Sequence, residues 1–224
     1  MYKETGQKRN CRYLPSGTIN QWSLHRYLHK GEIMFDETQK KILNAAMSLV
    51  MEKGYTATTT KDIAKRAEIN ECTIFRKFKG KKDIIVSAME LPEWNPCLKE
   101  SDFTYTGDLE SDLLFFAEVY AKKVTPKMVR VSLGLRSPEL YDVTRDGIRE
   151  IPDVFKTVLT KYFTEMCRQK KMATDDIESL AVSFLAMNFG FVFFKASFGD
   201  TLTGLETKQY IQSSVHHFVN GIRN

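Results

Sequence analysis

The sequence predicts an all-α protein, and three observations carry that prediction. Apolar residues recur at three- and four-residue spacing through most of the chain, strand-like alternation is absent, and residues suited to helix caps precede several of the apolar runs. The 224 residues are 42% apolar and 27% charged, the balance of a globular chain able to bury one sizeable core or two small ones. The expected architecture is a compact N-terminal helical domain over 34–91 and a second helical domain over 92–224.

The first 33 residues differ from the rest. They mix Gly, Pro, Ser and Asn with basic residues and keep no periodicity, the composition of a disordered segment. Two readings are open: a basic arm that follows phosphates or enters a minor groove, and a leader that is not normally translated. The stretch Lys30-Gly31-Glu32-Ile33-Met34 favours the second, because it can be back-translated into a purine-rich ribosome-binding sequence just ahead of an ATG. Met34 is then the expected start.

From Asp36 to Lys53, Ile42, Leu43, Ala46, Leu49 and Val50 share one face, and Gly54 supplies a stop. The stretch Thr59 to Phe78 reads as two short helices joined by a tight corner. Ile63, Ala64 and Ala67 mark the first, and Ile74, Phe75 and Phe78 the second. Thr59 suits the first N-cap, with Asp62 as the reciprocal partner of a capping box, and Asn70 suits the second. Such a pair makes a helix-turn-helix, whose second helix offers its early side chains to a major groove. After Asn70 those early positions are Glu71, Cys72 and Thr73, followed by the basic run Arg76, Lys77, Lys79, Lys81 and Lys82. Short polar groups where base edges lie and cations where phosphates lie divide the work of specifying and positioning. Glu71 can accept from a cytosine amino group, Thr73 can touch a thymine methyl or a phosphate, and Arg76 can bind guanine or phosphate. Thr59 and Thr60 stand where the first helix would meet phosphate.

These residues resemble a known family. The segment Phe35 to Glu90, with Glu52-Lys53-Gly54-Tyr55, Thr58-Thr59, Ile63-Ala64, Thr73-Ile74-Phe75, Phe78 and Lys81 in order, is similar to the DNA-binding domain of TetR-family transcriptional regulators. The resemblance implies that Lys81, opening the next helix, contacts phosphate. It differs in having Glu68 where the family usually has Gly, so Glu68 is expected to hold a left-handed or otherwise strained backbone. Cys72 replaces a frequent Gly, and Phe75 replaces the usual Tyr and cannot donate to phosphate.

A fourth helix is expected over Lys82 to Glu90, with Ile84, Ile85 and Ala88 inward. Pro92, Pro96 and Gly107 then mark a boundary. Four or five further helices are expected: Asp108 to Lys123, Pro126 to Arg136, Pro138 to Lys170 with a kink or break at Pro152, Thr174 to Ser197, and Glu206 to Ile222. The Phe-rich run near Phe189 to Phe198, interrupted by Gly190, Lys195 and Gly199, reads as a buried helix rather than a membrane span. The last two helices carry broad apolar faces that either close the monomer core or pair with a second copy as a four-helix bundle, and the resemblance implies the pairing. One reading head covers few base pairs, so a homodimer on inverted half-sites of double-stranded operator DNA is expected.

Aromatic and methionine residues crowd the second domain. The resemblance implies a small-molecule effector among them, with Phe116, Tyr120, Met128, Phe155, Phe163, Met187 and Phe191 as candidate contacts. Plain core packing is the competing reading for each. Arg130, Arg136 and Glu118 are candidates to orient a polar group. The net charge of +5 is unevenly placed, at +4 before Asp36, +3 over 36–90 and −2 beyond. Positive charge thus lies at the end that would meet DNA. Cys11, Cys72, Cys97 and Cys167 form no CxxC pair, which fits reduced thiols in the cytoplasm without a metal. His216 and His217 have no acidic neighbour at triad or metal spacing, and no Gly-rich phosphate loop occurs. The chain reads as a repressor released by a small molecule, with no cofactor and not as an enzyme. The alternatives are a regulator controlled by a protein partner and, further off, a helical enzyme.

Overall fold

The computed structural model describes residues 34–222, and the expectations for residues 1–33 lie outside them. The described residues are helical throughout, with no strand. The order is α1 (Glu37–Lys53), α2 (Thr60–Arg66), α3 (Glu71–Lys77), α4 (Lys81–Ala88), a 3-10 turn (Glu100–Asp102), α5 (Leu109–Lys123), α6 (Pro126–Gly134), α7 (Pro138–Arg168), α8 (Ile177–Phe198) and α9 (Thr207–Ile222).

The caps explain the boundaries. Asp36 accepts from the Gln39 backbone N–H at 2.8 Å while its own N–H donates to the Gln39 side chain at 3.0 Å, closing a capping box ahead of α1. Thr59 and Asp62 close the same box ahead of α2, and Asn70 accepts from Cys72 N–H at 3.0 Å ahead of α3. Glu68 at the corner has φ +56°, the left-handed backbone expected of it. At α8 the start comes later than expected: Asp176 accepts from Ser179 N–H at 2.8 Å, leaving Thr174 and Asp175 outside the helix.

The chain packs around two cores. The first gathers Ile42, Leu43, Met47, Ile63, Ile74 and Ile84 from α1–α4, and it also takes in Leu91, Trp94, Val131, Leu135 and Leu140. The residues that follow α4, and the corner between α6 and α7, are therefore part of the wall behind the helix-turn-helix. That corner is tight. A Cβ placed on Gly134 would meet Val50 Cγ1 of α1 at 3.2 Å, and buried Thr144 on α7 donates to Leu135 O at 2.8 Å or Leu140 O at 3.1 Å. The second core is built from α5, α7, α8 and α9 around Phe116, Tyr120, Phe155, Tyr162, Phe163 and Phe184. Buried Asp112 organises its edge by accepting from Thr106 N–H, Gly107 N–H and the Tyr162 hydroxyl.

Two expectations need correction. Of the kink or break expected at Pro152, the break does not occur: α7 runs unbroken through it, so the lost intrahelical bond is outweighed by the packing of Phe155, Leu159 and Phe163. The Phe-rich helix α8 is not buried all round, since Phe189, Phe194 and Phe198 are 38%, 43% and 49% exposed. Gly190 continues the helix and Lys195 is a single charge, so by length and apolarity alone α8 also matches a membrane span, a match that core helices of other bundles share. Its inward face packs on α6 and α7 and touches α5 and α9, leaving an apolar outer face uncovered.

Candidate nucleic-acid interface and adjoining cavity

The helix-turn-helix presents α3 outward. Ile74 is fully buried and Phe78 nearly so, which fixes one side of the helix in the first core. Asn70, Cys72, Phe75 and Arg76 are consequently exposed, and Phe75, at 59%, is among the most exposed large apolar side chains. Arg76 makes no ion pair among the described residues and stands free to reach a phosphate or a guanine edge. Thr73 is half-buried at the same face.

Other expected contacts are engaged within the protein. The Thr60 hydroxyl donates to Glu71 Oε1 at 2.6 Å, tying α2 to α3 and turning Thr60 toward Glu71. Glu71 keeps its second oxygen for an amino donor. Lys77 pairs with Asp36 at 2.5 Å, holding α3 against the N-terminus of α1. Lys81 donates to Tyr55 O at 2.8 Å and Thr58 O at 2.7 Å and lies over the Tyr55 ring at 4.0 Å. Burial draws its pKa down, partly countered by nearby Glu139. Its ammonium thus staples the turn before α2, and one N–H is left for phosphate. Exposed Lys61, Lys65, Lys79 and Lys82 enlarge the basic surface. Lys61 and Lys65 escaped the sequence reading because no motif singles out solvent-facing lysines on the first helix of the pair.

Asp62 gives this unit a pH signature. The Lys53 ammonium, at 2.7 Å, and the Thr59 cap hold its carboxyl at about 2, below the ordinary 3.8. A depressed acid stabilises the fold above its unfolded pKa and loses that contribution as pH falls through the folded one. Asp62→Asn should therefore lower thermal stability above about pH 4, and the difference from wild type should close toward about pH 2. Melting curves followed by circular dichroism across that range test it; a gap that stays constant with pH rules the charge out.

Behind the reading head lies a cavity of about 330 Å³. Its walls come from the end of α4 and the following segment (Met89, Trp94, Asn95), from α5 (Tyr120) and the residue after it (Val124), from α6 (Met128, Val129, Val131, Ser132) and the corner after it (Leu135, Arg136), and from the middles of α7 (Ile148, Pro152) and α8 (Leu185, Phe189). Of the seven expected effector contacts, only Tyr120 and Met128 line it. Phe116, Phe155 and Phe163 are fully buried in the second core, and Phe191 stacks on Tyr210 at 4.0 Å. Met187 lies half-buried near the same ring, its carbonyl accepting from the Tyr210 hydroxyl. Their apolarity is spent on packing, as the competing reading held. Of the polar candidates, Arg136 lines the cavity, whereas Arg130 reaches toward Ala196 O and Glu118 is exposed elsewhere. Composition could not reveal Trp94 or Leu185 as wall residues, because a wall residue and a core residue share the same periodicity.

Four wall residues, Met89, Trp94, Val131 and Leu135, also belong to the first core. The cavity therefore abuts the packing that seats the reading head. Trp94 adds a polar link, its Nε1–H donating to Asn44 Oδ1 of α1 at 2.6 Å. A second link runs from α7 to the turn before α2, where the Thr56 hydroxyl donates to Glu139 at 3.0 Å. His216 does have an acidic neighbour in space, Glu110 of α5 at 3.1 Å, which sequence spacing could not show. Its other ring nitrogen meets Asn220, so the pair bridges α5 and α9.

Comparison with known proteins agrees with this geometry. Residues 42–88 match the family model described as bacterial regulatory proteins, tetR family. The chain is 29% identical over 187 residues to YvkB, an uncharacterized HTH-type transcriptional regulator of Bacillus subtilis (strain 168), covering 83% of this chain and 97% of that one. It is 25% identical over 187 residues to IcaR, the HTH-type negative transcriptional regulator of the biofilm operon icaADBC in Staphylococcus aureus (strain Newman), covering 80% and 96%. Among solved structures, native NalD, the secondary repressor of the MexAB-OprM multidrug efflux pump in Pseudomonas aeruginosa, shares the fold with a TM-score of 0.61 at 14% identity, over 84% of this chain and 97% of that one.

Proposed function

We infer that this chain, which belongs to the TetR family of bacterial regulatory proteins, is a sequence-specific DNA-binding transcriptional regulator and not an enzyme. It works as a cytoplasmic homodimer paired through α8 and α9, setting two copies of α3 on inverted half-sites, and represses until a small molecule occupies the cavity. Its domains divide as an N-terminal reading head over 34–91 and an effector-binding and dimerisation domain over 92–224.

The observation that carries the DNA reading is the two-faced α3: Ile74 is buried while Cys72, Phe75 and Arg76 stand outward beside an exposed lysine surface. A helix of 7 residues exposing that much apolar and cationic side chain is poorly explained by folding alone. The uncovered apolar face of α8 supports the pairing, and the cavity wall shared with the first core supports release by a ligand. A ligand shifts DNA affinity only if it binds one arrangement of the heads better than the other. A wall built from the reading head's own core gives it the means.

The test is a salt titration of full-chain binding to the promoter DNA nearest its own gene, against a scrambled duplex. Selective binding is expected, with affinity falling steeply as salt rises. Arg76→Ala should cost about 1–3 kcal/mol confined to the operator if it reads a base. If it holds a phosphate, it should weaken both duplexes and lower the salt slope by about 1. Unchanged binding by this variant removes Arg76 from the interface, and equal weak binding of both duplexes by wild type overturns the operator.

A further inference from the structure

We propose that the cavity takes an apolar molecule bearing a single negative charge, a carboxylate in the simplest case, whose head meets Arg136 while its body fills the space between α5, α6, α7 and α8. The proposal rests on the effector reading above and deepens it by naming the chemical class.

The lining decides the body. Val124, Met128, Val129, Ile148, Ile151, Leu185 and their neighbours make the wall largely hydrocarbon, so a strongly hydrated molecule would lose its water without replacement. The polar groups decide the head. No Asp or Glu lines the cavity, which leaves a cationic ligand without a counter-charge. One Asn95 Nδ2–H donates to Met89 O at 3.1 Å, and the Ser132 hydroxyl donates to Val129 O at 2.9 Å, so these neutral groups offer one further N–H and no charge. Tyr120 stacks on Phe155, and burial pushes its phenol far up, leaving a neutral hydroxyl there at any ordinary pH. Arg136 is the one charged side chain in the lining, and it makes no salt bridge among the described residues. A guanidinium presents paired N–H groups in the geometry a carboxylate accepts.

Arg136 is exposed, and it also lines the neighbouring groove with Gly54 and Thr56. It therefore stands at the mouth. A ligand held this way would enter tail first, place its apolar end near Trp94 and Leu185, and leave its charge beside water. That arrangement asks for no buried ion pair, and so carries little desolvation cost.

Three probes of matched length distinguish the classes: decanoate, decanol and decyltrimethylammonium, each below its aggregation concentration. Binding is read from Trp94 fluorescence in a Trp22→Phe background, where Trp94 is the sole tryptophan, and checked by calorimetry. Decanoate should bind about tenfold more tightly than decanol, and the ammonium most weakly. Arg136→Gln should erase the preference for decanoate while leaving decanol binding as it was. Equal or tighter binding of the ammonium, or a preference that survives Arg136→Gln, overturns the ligand class but leaves a ligand-binding cavity in place. Binding of none of the three, with the fold intact by circular dichroism, overturns the class and the effector reading together.

Discussion

Phe194→Glu is expected to turn the protein into a monomer and to remove most of its operator affinity. In the isolated chain Phe194 is 43% exposed on α8, flanked by exposed Phe198 and by half-buried Phe193, so a carboxylate there is solvated and the monomer fold is barely disturbed. In the proposed pairing of α8 and α9 with their copies, the same position would lie in an apolar seam, and two-fold symmetry would introduce the charge twice. Each buried unpaired carboxylate costs several kcal/mol, enough to dissociate an interface of ordinary strength. The effect on DNA follows from the second reading head. Two tethered heads exceed the affinity of either alone by about 10²–10⁴ in favourable geometries, and a monomer loses that factor. Sedimentation velocity and operator binding on the same preparation measure both. A variant that remains dimeric and binds as wild type places the seam elsewhere.

Much of this molecule was legible in its sequence because its signals are local. Thr59, Asp62 and Asn70 are caps whose partners lie two or three residues away, and Glu68 was marked by the absence of the usual glycine. Such features depend on φ, ψ and short-range hydrogen bonds, so the chain states them in order. The existence of α5 to α9 followed from the same signals together with the 3.6-residue period, with ends displaced where a cap such as Asp176 starts the helix later than its acids suggest. What escaped were relations across the fold. Besides the phosphate contact expected of it, Lys81 directs two of its donors to Tyr55 O and Thr58 O, 26 and 23 residues away, a tie that spacing does not show. The aromatic cluster suggested a pocket, yet Phe116, Phe155 and Phe163 fill the core, and the space lies beside Trp94 and α6 instead. Periodicity tells which face of a helix is covered, and is silent on whether protein or an empty volume covers it.

Trp94→Ala is expected to give the largest loss of stability of any single substitution near the cavity, and to weaken DNA binding without touching the interface. The side chain is 7% exposed, sits in the first core, carries the Lys127 ammonium over its ring at 4.0 Å, and donates to Asn44 on α1. Truncation removes the indole area, opens space continuous with the existing cavity, and leaves Asn44 Oδ1 without its partner. Large aromatic-to-Ala changes in cores cost about 3–5 kcal/mol, which lowers the melting temperature of a chain this size by roughly 10 °C. Trp94→Phe separates the two contributions. It keeps a six-membered aromatic ring and loses the pyrrole part of the indole with its N–H, so its cost should fall to about 1–3 kcal/mol. DNA binding tests the link between cavity and head. Asn44 lies on α1, the helix against which α2 and α4 pack, so loosening Trp94 changes how firmly α3 is seated. Trp94→Phe should therefore bind operator nearly as wild type while responding less to a cavity ligand, because the ring still fills its place but no longer pulls on Asn44. If Trp94→Ala melts within about 2 °C of wild type, the residue is a passive wall and the link between cavity and reading head runs instead through the Gly134 corner and the Thr56–Glu139 bond.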